Sequence, residues 1–310
     1  MDREQSILKY IDLAELGIEI APYFNPLVPK RSGNNVLIMD VFDCEKLHQN
    51  ALIDPNIPED RIQDIEEVDL VGDASGIEET VKEKGVEGQI SYIVSSHNFE
   101  HLPNPIVFLQ GCYAVLATGG ILSMAIPDYR ACFDHYRTPT KLSDWIEAYF
   151  EDRKKPSAKT IFDHSTMHAP YVADGIASPG AAIGKSDPSK FTPDRFLDKS
   201  FSDFEAAWKS PQGYIDAHCS VLFPELFELL ILELQRLALV DLELIEVSET
   251  AGFEFYAHFR KTDKLDRLPD DEFYQKRHEL LVEISKSLGA APYQKSLFQR
   301  LAKKFKRRFS

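Results

Sequence analysis

Residues Gly88–Asp128 read GQISYIVSSHNFEHLPNPIVFLQGCYAVLATGGILSMAIPD, and their alternation of apolar runs and breaks decides the fold. The run Ile90–Val94 stops at Ser95-Ser96-His97. A polar loop follows, closed by Pro103 and Pro105, which exclude a helix through that point. Apolar positions at Ile106, Leu109, Ala114, Val115 and Leu116 then recur at helical spacing, and Thr118-Gly119-Gly120 ends them. A second apolar run, Ile121–Ile126, breaks at Pro127-Asp128. Strand, loop, helix, glycine stop and strand make one parallel βαβ unit. Ligands of open α/β sheets bind beyond the carboxyl ends of the strands. Ser96, His97, Glu100, His101 and Asp128 are therefore site candidates.

Outward from this unit the same alternation holds. Leu16–Ile20 is a first strand, followed by the proline-rich stretch from Ala21-Pro22-Tyr23-Phe24-Asn25-Pro26, where a turn or short helix is expected. Val36–Met39 is a second strand ending in Asp40, Asn50–Pro58 a loop, and Val68–Gly72 a third strand. Asp73-Ala74-Ser75-Gly76 turns into an acidic helix, Ile77–Lys84. Strand, turn and helix thus alternate through residue 128, the pattern of a doubly wound sheet. From Tyr129 the pattern is lost. Residues 129–215 show one helix, near Lys141–Phe150, and then a stretch rich in Pro, Gly, Ser, Asp and His that reads as a lid or substrate-binding insertion. Order returns with a helix from Pro224 to about Ala238, where Pro224 suits the first turn. Leu239–Val247 and Phe253–Phe259 alternate as an antiparallel pair, and 263–294 reads as a charged helical appendage.

Composition narrows the class. The chain of 310 residues has room for a large domain or for a core with an insertion, and a 44% hydrophobic content suits a globular fold. No stretch reaches the apolar length of a membrane span, and no signal peptide is expected at Met1-Asp2-Arg3-Glu4-Gln5. Four scattered cysteines without C-x-x-C spacing argue for reduced thiols in the cytoplasm and against a cysteine zinc site. A net charge of -15 argues against nucleic acid as a partner. The charge is uneven, however. The end, KSLFQRLAKKFKRRFS over 295–310, spaces Phe298, Leu301 and Phe305 among basic residues as a short amphipathic helix. It is expected either to lie on an anionic membrane at the inner face or dock on an acidic partner, or to be a solvated tail.

The motif S-H-x-x-E-H-L-x-x-P, a helix, then L-x-x-G-G-I-L-x-x-x-x-P-D resembles the second half of class I S-adenosylmethionine-dependent methyltransferases. G-x-E-I-x-P-x-x-N-P-x-x-P-K at Gly17–Lys30 is similar to the bacterial subgroup linked to sugars and surface polysaccharides, as are D-x-H…F-P-x-x-F and G-x-E-F within Tyr214–Lys261. The resemblance implies an α/β, doubly wound, Rossmann-like sheet, mostly parallel with an antiparallel final strand, carrying an irregular or helical insertion. It divides the chain into a cofactor-binding core (1–128), an insertion shaping the acceptor site (129–215), a closing helix and strand pair (216–262), and a helical appendage with the basic tail (263–310). S-adenosylmethionine is the implied cofactor. The residues implied to face it are Glu19, Ala21, Pro22, Tyr23 and Asn25, then Asp40 and Val41, then Asp73 and Ala74, then Ser96 and His97. A carboxylate such as Asp40 can accept from both ribose hydroxyls. The family's glycine-rich turn stands here as Ala21-Pro22-Tyr23, so Tyr23 either points away from the cofactor or crowds it.

The implied reaction is methylation of a sugar or polysaccharide intermediate, most plausibly on oxygen, with a small-molecule or glycan acceptor. Its base would come from His101, Asp128, His135 or His218. The plainer reading has Glu100-His101 capping the next helix and Asp128 holding its turn. Tyr129, Arg130, Asp134 and Tyr136 in the stretch Pro127–Arg137 are expected to face the substrate. No metal ligand set is expected. His97-Asn98-Phe99-Glu100-His101 spells H-x-x-E-H, but a zinc peptidase needs both histidines on one helix, and a strand ends before them. His135, His164, His168 and His218 have no spacing that demands a metal. Gly180–Ser186 resembles a P-loop with its glycines one residue too close. The rival function is a non-catalytic binding or scaffolding protein, with a zinc hydrolase using His97 and His101 as a third reading.

Overall fold

A computed structural model describes residues 2–209 and 214–289. The basic stretch 295–310 and its expected membrane contact lie outside the described residues.

After the short helix α1 (Arg3–Ile7), the chain lays down β1 (Gly17–Ile20), β2 (Val36–Asp40), α2 (Cys44–Ile53), β3 (Leu70–Val71) and α3 (Ile77–Lys84). β4 (Ile90–Ser96), α4 (Pro105–Val115) and β5 (Leu116–Pro127) form the predicted βαβ unit. The insertion holds α5 (Leu142–Phe150), α6 (Ala158–Met167), a hairpin of β6 (Tyr171–Ala173) and β7 (Ile176–Ser178), and α7 (Leu197–Lys209). α8 (Pro224–Arg236), β8 (Glu243–Val247), β9 (Glu254–Arg260) and α9 (Asp270–Gly289) complete the described chain. The main sheet runs β3-β2-β1-β4-β5-β9-β8. β1 to β5 pair in parallel, and β9 is antiparallel to both β5 and β8. This is the predicted doubly wound, mostly parallel sheet with an antiparallel final strand.

Alternation along each strand supplies a core on both faces. Ile18, Ile20, Met39 and Ile93 face α3, α4 and α8, whereas Val36, Ile38, Tyr92 and Val94 face α1 and α2. Gly17 is required by the second face: a Cβ there would stand 2.0 Å from the buried ring of Tyr92. Asp43 caps α2, which runs through Ile53, so the loop expected from Asn50 begins four residues later, at Asp54. α4 stops at Val115, and β5 begins at once. Thr118-Gly119-Gly120 is no helix stop but part of a bulge, because the register jumps from Ile90↔Leu116 to Tyr92↔Ile121 and Gly119 takes φ +85°. α9 is more than an appendage: it buries Phe273, Leu280 and Ile284 against α8, and Arg277 and Lys276 pair with Glu233 and Glu228. No helix among the described residues is long and apolar enough to cross a membrane.

One buried titratable group in the sheet has a measurable signature. His258 on β9 meets Ser123 Oγ at 2.9 Å and the Tyr10 ring edge-on, and burial depresses its pKa to about 4. A histidine whose folded pKa is lowered costs nothing above its unfolded value near 6.5 and destabilises as pH falls from there towards 4. Relative to His258→Asn, the wild-type unfolding free energy should drop by about 3 kcal/mol between neutral pH and pH ~4. Urea titrations of both proteins at the two pH values measure this. A parallel response of the two would show that His258 is not held neutral.

Candidate functional site

Four strand ends and the start of β9 meet along one edge of the sheet. β1 ends in a turn through Ala21-Pro22-Tyr23, where Ala21 and Tyr23 have φ +49° and +50°. Left-handed backbone costs a residue with a Cβ on the order of 1–2 kcal/mol. The turn therefore follows a glycine-like path although it contains no glycine. Glu19, buried one residue inside β1, accepts the N–H groups of Leu27 and Val28 at 2.7 and 2.9 Å and so fixes the loop beyond the turn. Burial raises its pKa to about 7 against those two bonds. Both Glu19 oxygens are engaged by the loop, which gives this side chain a bracing role. Tyr23 packs edge-on against Phe24 and lies on the α1/α2 face of the core. Burial raises its pKa, with the charges of Asp54 and Asp40 adding to the effect. Asn25 Oδ1 accepts from Arg61 at 3.0 Å.

Asp40 closes β2 with its side chain buried. Oδ1 accepts the Phe42 N–H at 3.2 Å, and burial raises the carboxyl pKa. Beside it Val41 and Phe42 are 54% and 43% exposed, an apolar shelf at the sheet edge that a flat base could cover. At the end of β3, exposed Asp73 accepts the Ser75 N–H at 2.7 Å, and Ala74 is buried behind it. The strained turn is expected to be the least stable part of this edge. Ala21→Gly should raise the unfolding free energy by about 0.5–1 kcal/mol, read from denaturant titration. A loss of stability would mean that the turn carries no strain.

The end of β4 is the most charged part of the edge. Ser96 Oγ accepts from Arg3 at 2.7 Å, and the Arg3 guanidinium also grips Glu254 at 2.9 Å. His97, at φ +51°, places Nε2 2.7 Å from Glu254 Oε2. Burial opposes charge on both partners. The hydrogen bond to Glu254 and the charge of Glu100 nevertheless raise the His97 pKa, while His97, Arg3 and Tyr256 hold Glu254 down at about 2. Glu254 can join because β9 runs antiparallel, so its first residue lies at the edge where the parallel strands end.

Next along the loop, Glu100, His101 and His218 converge. The backbone carbonyl of Glu100 accepts the N–H groups of Cys219 and Ser220 at 2.6 and 3.0 Å, which draws residue 218 alongside. The rings of His101 and His218 meet edge to face at 4.6 Å. His101 Nδ1 lies 2.8 Å from Asp216 Oδ1, and His218 Nδ1 is hydrogen-bonded to Asp134. Glu100 is 1% exposed, yet neither carboxylate oxygen has a hydrogen-bond partner among the described residues.

Several expected site residues lie elsewhere. Asp128 is fully buried, and its oxygens accept from Arg130 and Thr250, so it holds the turn, as the plainer reading had it, and is not free to serve as a base. His135 stacks on Phe191 at 4.4 Å with Nδ1 on the Arg130 carbonyl, and burial lowers its pKa; it is not grouped with His101. Tyr129 and Arg130 pack on Phe223, the Tyr136 hydroxyl donates to the Phe191 carbonyl, and Asp134 is buried against Arg137. They pack at the base of the insertion, and Arg130 also lines a cavity of about 570 Å³ together with Phe191, Glu225 and Thr250. The P-loop-like Gly180–Ser186 leads into no α-helix. Arg3 and Glu254 were not among the expected cofactor or base residues; the antiparallel pair was the signal pointing to Glu254.

No protein-family model matches the chain, and no curated protein does. Several of the solved structures to which it is similar are described as S-adenosylmethionine-dependent methyltransferases. One from Methanosarcina mazei is 11% identical, with 83% of this chain and 96% of that chain covered and a TM-score of 0.34. A Listeria monocytogenes protein, provisionally described as such a methyltransferase, is 8% identical over 84% and 98%, with a TM-score of 0.39. A Rhodobacter sphaeroides protein provisionally described as a Zn-dependent alcohol dehydrogenase is 13% identical over 84% and 90%, also at 0.39. Likeness this distant adds nothing to the sheet order already described.

Proposed function

We propose that this chain is an S-adenosylmethionine-dependent methyltransferase. The observation that carries the reading is the glycine-like turn at Ala21–Tyr23 beside the buried Asp40. A fold retains two left-handed non-glycine residues, one on each side of Pro22 and next to a buried acid, where the backbone path matters more than its cost. The residues fit the cofactor. Asp40 would accept from the ribose hydroxyls, the Val41–Phe42 shelf and Ala74 would flank the adenine, and the turn would meet the methionine portion. When bound, the cofactor supplies an electrophilic methyl group, and the chain's task is to align an acceptor and manage its proton.

The acceptor is proposed to be a hydroxyl of a sugar or polysaccharide intermediate. The motif at Gly17–Lys30 supports that class. So does a cleft of about 370 Å³ whose lining includes Arg137, Lys141, Asp144, Arg153, Lys159 and Asp163, side chains suited to a hydrophilic guest. It reaches Cys219, next to His218, so a guest there would extend towards the Glu100 cluster. Calorimetric titration with S-adenosylmethionine and S-adenosylhomocysteine tests the reading: micromolar binding is expected, and no binding would leave the non-catalytic rival.

A further inference from the structure

We propose that Glu100, His101 and His218 hold a divalent first-row transition-metal ion. Glu100 is the starting point. A carboxylate buried to 1% exposure with neither oxygen hydrogen-bonded within the described chain is costly unless a cation completes it. The groups around it fail as hydrogen-bond donors but suit shared ligation. His101 Nε2 lies 3.8 Å and His218 Nε2 4.0 Å from Glu100 Oε1, too long for a hydrogen bond. Two ligand atoms each about 2.1 Å from a tetrahedral ion stand about 3.4 Å apart. One candidate atom from each of the three residues lies within 4.8 Å of the others, so side-chain adjustments of up to about 1.4 Å close the set to tetrahedral spacing.

The remaining nitrogens point the same way. A metal-binding histidine usually gives its second ring nitrogen to a carboxylate, which fixes its orientation and tautomer. His101 does so with Asp216 at 2.8 Å, and His218 does so with Asp134. His97 repeats the pattern from just outside the set, with Nε2 on Glu254 at 2.7 Å and Nδ1 3.6 Å from Glu100 Oε1. Two imidazoles and one carboxylate leave coordination positions open, and nitrogen donors favour a transition metal over magnesium or calcium. The His101 side chain is 29% exposed, so oxygen donors, water or the hydroxyls of a substrate, can reach the open side. The H-x-x-E-H spelling thus marks a metal site without being a peptidase helix: Phe99–His101 is a 3₁₀ turn, and the second histidine ligand comes from residue 218.

The ion itself does not depend on the methyltransferase reading; only the hydroxyl-bearing guest does. The test is titration of chelator-treated full-length protein with Co²⁺ and Zn²⁺, followed by calorimetry and by the ligand-field absorption of Co²⁺. Tight binding of one ion per chain is expected, weakened at least ~100-fold by Glu100→Gln or His218→Ala. Asp216→Asn, at an exposed position that does not threaten folding, should cost about 10-fold by releasing His101. His135→Ala should change nothing. Absent Co²⁺ binding, or binding equal in wild type, Glu100→Gln and Asp216→Asn, would overturn the proposal. S-adenosylmethionine binding measured on the same samples separates the claims, since a chain that binds metal but no cofactor refutes the proposed activity and leaves the metal site intact.

Discussion

Asp40→Ala is expected to weaken S-adenosylmethionine binding by about 100- to 1,000-fold. A carboxylate accepting two ribose hydroxyls contributes on the order of 1.5–3 kcal/mol per charge-assisted bond, and the two losses do not add fully. Asp40→Asn keeps one acceptor and should lose about tenfold. The fold should tolerate both changes, because burial already raises the Asp40 pKa and its charge does not stabilise the native state. The same shift gives a pH signature: affinity should fall as the pH drops towards that raised pKa and the acceptor becomes protonated. Calorimetry with wild type and both variants decides the matter. Unchanged affinity in Asp40→Ala would remove the end of β2 from the cofactor site.

Asp134→Ala is expected to cost about 3–5 kcal/mol of stability, the range for breaking one side of a buried ion pair. Asp134 and Arg137 meet at 2.8 Å with side chains only 2% and 6% exposed, and Asp134 also accepts from His218. Burial disfavours its charge, but His218, His164 and Arg137 outweigh that and hold the Asp134 pKa well below the usual carboxylate value. Its contribution is therefore fully present above the unfolded carboxylate pKa and is lost as the pH falls through the depressed one. Pairing Asp134→Ala with Arg137→Met should restore much of the loss, since two apolar groups need no counter-charge. A cost below about 1 kcal/mol for Asp134→Ala alone would show that the pair is not desolvated.

These two acids differ in how plainly the sequence announces them. Asp40 follows a run of apolar residues whose only continuation is a strand, so its place at a strand end is a local inference. The same holds for Ser96 and His97, and for α3, whose observed bounds match the expected ones because Gly85 stops it in a left-handed cap. Asp134 reads as one more polar residue in a motif. Only its burial against Arg137 and the approach of His218 from 84 positions away reveal it. α6 and α7 escaped notice because their apolar faces are short and aromatic, as in the Phe162–Phe204 contact, and are broken by Ser, Asp and His, residues that disfavour helix in isolation. The Glu100 cluster lay between these cases. Glu100 and His101 were legible as strand-end residues within the H-x-x-E-H spelling, but His218 joins them from more than a hundred positions later, which no local spacing announces.

The antiparallel course of β9 bears on how the protein is made. Glu254, the first residue of that strand, joins Arg3 across 251 positions and His97 across 157. A nascent chain emerging from the ribosome can lay down β1 to β5 in order, as chains tend to fold from the N-terminus. It cannot pin Arg3 or His97 until Glu254 has left the exit tunnel. Translation arrested anywhere before that point yields a chain with the parallel sheet available but its charged edge unassembled. Competence for binding at that edge should therefore appear late and abruptly in synthesis.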